Sequence, residues 1–145
     1  MNRLKIVTIC FLALSLFIGN VAVAFAAKDN IASLGKVSAQ KKYTIYLGTN
    51  DKDTLKQELS TETIRDQMHE ICLKYVDGYT VSVMEGYYRN EAGDPTREVT
   101  LVYVFIDTPL DAVKKIMDEA LVKFNQSSIL FEESKSKSIV YNGKN

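Results

Sequence analysis

Four segments of the chain are rich in β-branched and aromatic residues, and in the first of them, KYTIYL, apolar and polar residues alternate with a period of two, as they do in β-strands that bury one face. The third segment, EVTLVYVFI, is the richest in β-branched and aromatic residues, which favour strands. The pattern predicts four strands, with Ser138–Tyr141 as a candidate for a short fifth. The four segments are Lys42–Leu47, Tyr79–Tyr88, Glu98–Ile106 and a last strand that begins with Ile129–Phe131.

Two further segments place apolar residues at the spacing of an amphipathic helix. The first follows Ser60, a residue type that caps helix N-termini, and stops at Asp77-Gly78. The second follows Thr108, the expected cap, with Pro109 at the first helical position. Each helix is therefore expected to bury one stripe. The stripes are Ile64, Met68, Ile71, Cys72 and Tyr75, and then Leu110, Val113, Met117, Ala120, Leu121 and Phe124.

The predicted order of elements is strand, helix, strand, strand, helix, strand. Right-handed crossovers place both helices of such a chain on the same face of a four-stranded antiparallel sheet. The expected class is therefore α+β, in the ferredoxin-like βαββαβ arrangement.

The first 26 residues have the layout of a secretory signal peptide. Arg3 and Lys5 form a basic start, Ile6–Ile18 is apolar, and small residues precede an expected cleavage site before Ala27. An uncleaved anchor is the alternative, because the apolar stretch is long enough to span a bilayer. Gly19-Asn20 interrupts that stretch, which favours cleavage.

The expected organisation is a signal peptide over residues 1–26, a flexible leader over 27–41 and a single domain over 42–145. The leader is predicted from its small and polar residues, which show no sustained period. Export follows from the signal peptide, so the protein is expected to be secreted, periplasmic or in the cell envelope. The membrane is expected as a partner only transiently, through the signal peptide.

Charge excludes one class of partner. The chain has 18 basic and 18 acidic residues, and the loss of Arg3 and Lys5 with the signal peptide leaves a net charge of −2. A slightly acidic domain lacks the basic surface that nucleic acids require. The third strand also lacks the basic-Gly-aromatic signature of RNA-recognition domains, so no nucleic-acid partner is expected.

Few side chains are candidates for metal or thiol chemistry. His69 is the only histidine, and Cys72 is the only cysteine beyond residue 26, so a zinc site and an intramolecular disulfide are not expected. Cys72 belongs to the buried stripe, where a thiol is unreactive. No base is expected near Ser127 or Ser128. The sequence therefore predicts no metal, no cofactor and no catalytic residue.

Alternation divides the strand residues between two faces of the sheet. The face opposite the helices is expected to be rich in aromatic residues, among them Tyr46, Tyr103, Phe105 and Phe131. A large apolar patch of this kind marks an interface, so a homodimer through this face is the leading expectation. The alternatives are cover by Ile139-Val140-Tyr141 or by the leader, and a small-molecule groove. The expected helix-facing residues are Ile45, Leu47, Val81, Val83, Val102, Val104, Ile106 and Leu130.

A polar cluster is expected at the hairpin between the second and third strands. One strand ends with Tyr87, Tyr88 and Arg89, and the next begins with Arg97 and Glu98, so the hairpin brings them together. Such a cluster suits a polar ligand or acid-base chemistry. A surface ion pair at the hairpin is the simpler interpretation.

Several short motifs carry a resemblance. The stretches YLGTND, VDGYTVSVMEGYYR, TREVTLVYVF and KFNQSSILF resemble a family of small exported bacterial proteins grouped as a domain of unknown function. Two departures from the family pattern are Tyr88, where tryptophan is common, and Lys74-Tyr75-Val76, where a proline-containing stretch is usual. The resemblance implies export and this fold, no established activity, and a shared site at Glu98 and Gln126. The matching positions are Gly48, Asp77-Gly78, Gly86 with Tyr88, Arg97-Glu98, Phe124, Gln126 and Ser128.

These observations favour a non-catalytic binding or self-association module. The alternative is a small-ligand-binding protein or small enzyme with a polar site formed by Tyr88, Arg97, Glu98 and Gln126.

Overall fold

The computed structural model describes residues 31–90 and 92–143. The chain divides into two units: residues 38–138, and a second unit formed by the segments on either side. In that second unit Ile31–Leu34 forms one turn of 3-10 helix, and residues 139–143 form no strand. The candidate fifth strand is therefore wrong. The predicted signal peptide, residues 1–26, lies outside the described residues.

The larger unit contains four strands and two helices in the predicted order. The strands form one antiparallel sheet in the spatial order β2-β3-β1-β4. This is the ferredoxin-like α+β fold, as predicted. The elements are β1 (Ser38–Gly48), α1 (Thr61–Leu73), β2 (Thr80–Arg89), β3 (Pro95–Ile106), α2 (Leu110–Lys123) and β4 (Leu130–Ser138).

Two strands are longer than predicted. β1 begins at Ser38, inside the segment predicted as a flexible leader, and β4 continues through the charged stretch to Ser138. Each extension pairs with the other, because Ser38 lies opposite Ser138 and Lys41 lies opposite Lys135. Backbone pairing across the strands satisfies the peptide groups, which overrides the weak strand preference of these polar residues.

The helix ends are partly as predicted. Ser60 caps α1, because its side-chain oxygen accepts a hydrogen bond of 3.1 Å from the backbone N–H of Thr63. The cap position of α2 is Pro109 instead of Thr108, whose hydroxyl donates to the carbonyl of Ile106. In the described part of the chain, no helix is both long enough and apolar enough to cross a membrane.

The core lies between the helices and the odd-numbered residues of the strands. Ile45 on β1 and Val81 on β2 both pair with Tyr103 on β3, which puts the three residues on one face. On α1 the core contains Ile64, Met68, Ile71 and Cys72, as predicted. On α2 it also contains Ile116, which was not predicted. The fully buried strand residues are Ile45, Leu47, Leu101, Tyr103 and Phe105.

The predicted face of β3 and β4 is wrong. Tyr103 and Phe105 belong to the core, and Phe131 packs against it, whereas Tyr46 lies on the opposite face as predicted. Both faces of β3 are apolar, so alternation alone does not tell which face meets the helices. Pairing with β1 decides it. Val102, Val104, Ile106 and Leu130 consequently lie on the face opposite the helices.

Candidate functional site

A groove of about 890 Å³ lies at one end of the sheet, on the face opposite the helices. Its floor is formed by the ends of β1, β2 and β3. Its walls are the loop after β1, the hairpin between β2 and β3, and the turn between α2 and β4. The groove therefore collects residues from distant parts of the sequence.

Glu98 lies on the floor between two glycines. Gly86 is its register partner on β2, and Gly48 lies on β1 on the other side. A Cβ at Gly48 would lie 2.6 Å from Oε2 of Glu98, so the carboxylate rests directly on the Gly48 backbone. A Cβ at Gly86 would lie 2.5 Å from the hydroxyl oxygen of Thr100. Glycine within a strand often marks this kind of close approach.

The Glu98 carboxylate is partly buried and weakly hydrogen-bonded. Its Oε2 accepts from the backbone N–H of Asn50 at 3.4 Å, which is long for a hydrogen bond. Burial raises the pKa of Glu98, while the backbone N–H groups of Asn50 and Thr49 act in the opposite direction. No salt bridge within the described residues involves Glu98.

Gln126 lies in the wall next to this floor. Its side-chain Nε2 donates to the carbonyl of Asn50 at 2.7 Å and to the carbonyl of Phe124 at 3.0 Å. The amide therefore links the turn after α2 to the loop after β1. The same Asn50 donates its N–H to Glu98, so Gln126 positions the backbone that meets the carboxylate.

Asn125 makes a second link between these two walls. Its Nδ2 donates to Oδ2 of Asp51 at 2.8 Å and to Oδ2 of Asp53 at 2.7 Å. This amide is the main reason why the pKa of each aspartate lies below its usual range. Lys52 forms an ion pair of 2.9 Å with Asp53.

Three tyrosines provide aromatic surface at the groove: Tyr46, Tyr87 and Tyr88. Tyr46 on β1 lines it, with its hydroxyl donating to Oε2 of Glu132 at 2.8 Å. Tyr88 near the end of β2 also lines it and is 40% exposed. Leu55, Ala92 and Leu130 add aliphatic surface to the lining.

The structure separates Arg97 from the other predicted site residues. Arg97 donates to Glu85, which also accepts from the hydroxyl of Tyr87 at 2.9 Å. Consecutive strand residues point to opposite faces, so Arg97 is turned away from the groove that Glu98 lines. The structure thus brings Tyr88, Glu98 and Gln126 together, and the prediction that Arg97 joins them is wrong.

Several groove residues were missed from the sequence. Asn50, Asp51 and Thr100 gave no signal of their own, because they are common loop and strand residue types. Gly48 and Gly86 carried a usable signal, since glycine inside a strand is unfavourable without a reason.

Other candidates for chemistry stand apart from the groove. Cys72 is fully buried, and burial raises the pKa of its thiol to about 12. His69 is exposed, with Nδ1 at 2.9 Å from the hydroxyl of Tyr79. Ser127 and Ser128 line the groove, but among the described residues no hydrogen bond joins either hydroxyl to a base. In the same residues, no cluster of three His, Cys, Asp or Glu side chains could hold a metal.

Comparison with known proteins shows the fold. No protein-family model matches this chain and no curated protein does, so the resemblance to an exported family stays a prediction. A solved structure of a phage SAM lyase in complex with S-methyl-5'-thioadenosine is similar over 74% of this chain and 95% of the lyase chain, with a TM-score of 0.57 and 15% identity.

Two other solved structures are less similar. CPII, a nitrogen regulatory PII-like protein from Thiomonas intermedia K12 bound to ADP, AMP and bicarbonate, has a TM-score of 0.40 and 16% identity, over 72% of this chain and 98% of its own. CutA from Synechococcus elongatus PCC7942, complexed with Bis-Tris, has a TM-score of 0.44 and 8% identity, over 72% and 90%.

Proposed function

We propose that this protein binds a small organic ligand in the groove around Glu98. The observation that carries the proposal is the carboxylate of Glu98, which rests on the bare backbone of Gly48 with Gly86 on its other side. Partial burial of an ionisable group costs free energy unless it is well paired. A sheet selected for stability alone would fill this space with side chains.

The form of the groove supports a ligand of small-molecule size. Its volume of about 890 Å³ lies in the range of small-molecule pockets. Tyr46, Tyr88 and Leu130 supply apolar surface, while Glu98 and Gln126 supply a few directed polar groups. Ionisable groups with perturbed pKa values in a concave site are typical of functional sites.

Gly48→Ala tests this proposal, because the new Cβ must push the Glu98 carboxylate out of its position. The displaced atoms end a flexible side chain, so we expect the fold to persist. Gly78→Ala is the matched control, since a Cβ there meets no atom within 4 Å.

The first probe is S-methyl-5'-thioadenosine, the ligand held by the phage SAM lyase of similar fold, followed by a panel of small metabolites in thermal-shift assays. We expect a binding probe to lose at least about tenfold in affinity with Gly48→Ala and nothing with Gly78→Ala, as measured by calorimetry. Equal binding by both variants, or no probe bound by the wild type, would count against the proposal.

Self-association is the second candidate function, favoured by one specific observation. Met84, Ile106 and Leu130 lie on the face opposite the helices and are 53%, 46% and 62% exposed. An isologous homodimer needs one self-complementary patch, to which these exposed residues would contribute apolar surface. The aromatic residues first expected there, Tyr103, Phe105 and Phe131, take no part because they lie on the core side.

Sedimentation tests the homodimer. We expect wild-type protein to sediment as a dimer and Met84→Asp to sediment as a monomer with an unchanged circular dichroism spectrum. Val122→Asp is the control, because Val122 lies on α2 and is already 84% exposed. A wild-type monomer at high concentration would remove this candidate.

A further inference from the structure

We infer that the ligand of the groove carries a positively charged group, which lies against Glu98, next to a flat apolar part that lies against the tyrosines. This inference rests on the proposed function, since it names the chemistry of the ligand that the groove binds. The inference is based on which charged side chains of the groove already have ion-pair or hydrogen-bond partners within the protein.

Four charged side chains line the groove in the part of the chain that the structure describes: Glu98, Asp51, Lys52 and Asp53. Lys52 and Asp53 neutralise each other through their ion pair of 2.9 Å. Two carboxylates therefore remain.

Asp51 has its hydrogen-bonding partners within the protein. It accepts from Nδ2 of Asn125 at 2.8 Å, and its Oδ1 accepts from the backbone N–H groups of Asp53 and Thr54 at 2.8 and 3.0 Å. A carboxylate with three such donors is a structural element of its loop. It has little need of a further partner.

Glu98 differs, because its carboxylate accepts a long hydrogen bond of 3.4 Å from the backbone N–H of Asn50, while the nearby N–H of Thr49 donates to the carbonyl of Val99. The two arginines of the hairpin are engaged elsewhere: Arg97 with Glu85, and Arg89 with the carbonyl of Gly93 at 2.8 Å. The remaining lone pairs of Glu98 face the groove. A cationic donor would satisfy them with a charge-assisted hydrogen bond, whereas an anion would be repelled more strongly than in water.

The aromatic lining selects for the same kind of ligand. Tyr46 and Tyr88 flank the strand end that holds Glu98, and aromatic faces attract cations as well as flat rings. A free phosphate would use neither feature. A compact amine or other onium group attached to a ring would use both.

Three small probes of matched shape test the inference: phenethylamine, 2-phenylethanol and 3-phenylpropionate, which are cationic, neutral and anionic at pH 7. Binding is followed by NMR through the backbone amides of Gly48 and Asn50 in the full chain. We expect phenethylamine to bind at least about tenfold more tightly than the alcohol, and the carboxylate to bind least.

Two variants with the same charge change separate the Glu98 carboxylate from the overall charge. Glu98→Gln is expected to remove most of the preference for the amine, while Glu70→Gln, an exposed position on α1, is expected to leave it intact. In wild type the affinity for the amine should also fall as the pH is lowered through the pKa of Glu98. Glu98→Gln should show no such fall.

The outcomes distinguish this inference from the proposed function. If the alcohol or the carboxylate binds as tightly as the amine, or if no amine binds, the inference is overturned. Binding of the neutral S-methyl-5'-thioadenosine that is sensitive to Gly48→Ala would still support the proposed function. An amine preference that survives Glu98→Gln would also overturn the inference.

Discussion

At the level of single residues, the fold disfavours the ionised form of Glu98, because burial raises its pKa above the value of 4.5 for an exposed glutamate. A pKa raised on folding means that the stability contribution of this group is fully present below the unfolded pKa. The contribution is lost as the pH rises through the folded pKa. Ionised Glu98 therefore destabilises the unliganded protein at neutral pH.

We expect Glu98→Gln to unfold at higher urea concentration than wild type at pH 7, because the amide keeps the shape of the side chain and removes the buried charge. The gain should be a fraction of the ~1.4 kcal/mol that corresponds to one pKa unit, since the group is only partly buried. It should disappear below about pH 4, where the wild-type carboxyl is protonated. A less stable variant at pH 7 would show that Glu98 is a structural residue.

Tyr103 offers a second prediction at this level. Its hydroxyl is buried without a hydrogen-bond partner among the described residues. We expect Tyr103→Phe to raise the free energy of unfolding by about 1 kcal/mol, because an unsatisfied buried hydroxyl is removed. Tyr79→Phe is the control, since the Tyr79 hydroxyl lies 2.9 Å from Nδ1 of His69. Denaturant unfolding measures both, and a loss of stability in Tyr103→Phe would contradict the prediction.

At the level of elements, the turn between α2 and β4 is joined to the loop after β1. Asn125 has a φ of 49°, in the left-handed region that asparagine and glycine tolerate. Its backbone carbonyl accepts from the N–H of Lys52 at 3.1 Å, and its side chain donates to Asp51 and Asp53. Asn125 therefore has two roles: its backbone forms the turn, and its side chain holds the loop that forms a wall of the groove.

Two substitutions separate these roles. We expect Asn125→Gly to keep the turn but to lower the melting temperature through the lost side-chain bonds. The free energy of unfolding of Asn125→Ala should be about 1 kcal/mol below that of Asn125→Gly, and its melting temperature lower accordingly, because alanine resists a positive φ. The deficit of the glycine variant should shrink in acid, since the lowered pKa values of Asp51 and Asp53 stabilise the fold above their unfolded pKa values and cease to do so as the pH falls. Equal melting temperatures for the two variants would rule out backbone strain.

At the level of the whole molecule, we predict that export removes the first 26 residues of the chain. We expect protein isolated from the cell envelope or the medium to begin at Ala27, because residues 1–26 have the basic, apolar and small-residue regions of a signal peptide. Intact-mass measurement checks this. Full-length protein that only detergent extracts would indicate an uncleaved anchor instead.

The sequence was sufficient for the elements of the fold. Period-two alternation and the helix stripes reflect burial of one face of each element, which is a local property of the chain. The order of the elements, with the handedness of crossovers, then restricts the sheet to the ferredoxin-like arrangement. The helix stripes predicted Ile64, Met68 and Cys72 as core residues, and the residue type of Ser60 predicted the helix cap.

The tertiary structure determined which face of β3 meets the helices and which residues form the groove. Both faces of β3 are apolar, so only pairing with β1 puts Tyr103 into the core. Glu98, Gly48 and Gln126 are far apart in sequence, and their contact depends on strand register and on how one turn is bonded to a distant loop. The local pattern of apolar residues indicates that one face of a helix or strand is buried. It does not report which residues of other elements share its space, because that is decided by pairing and packing between segments.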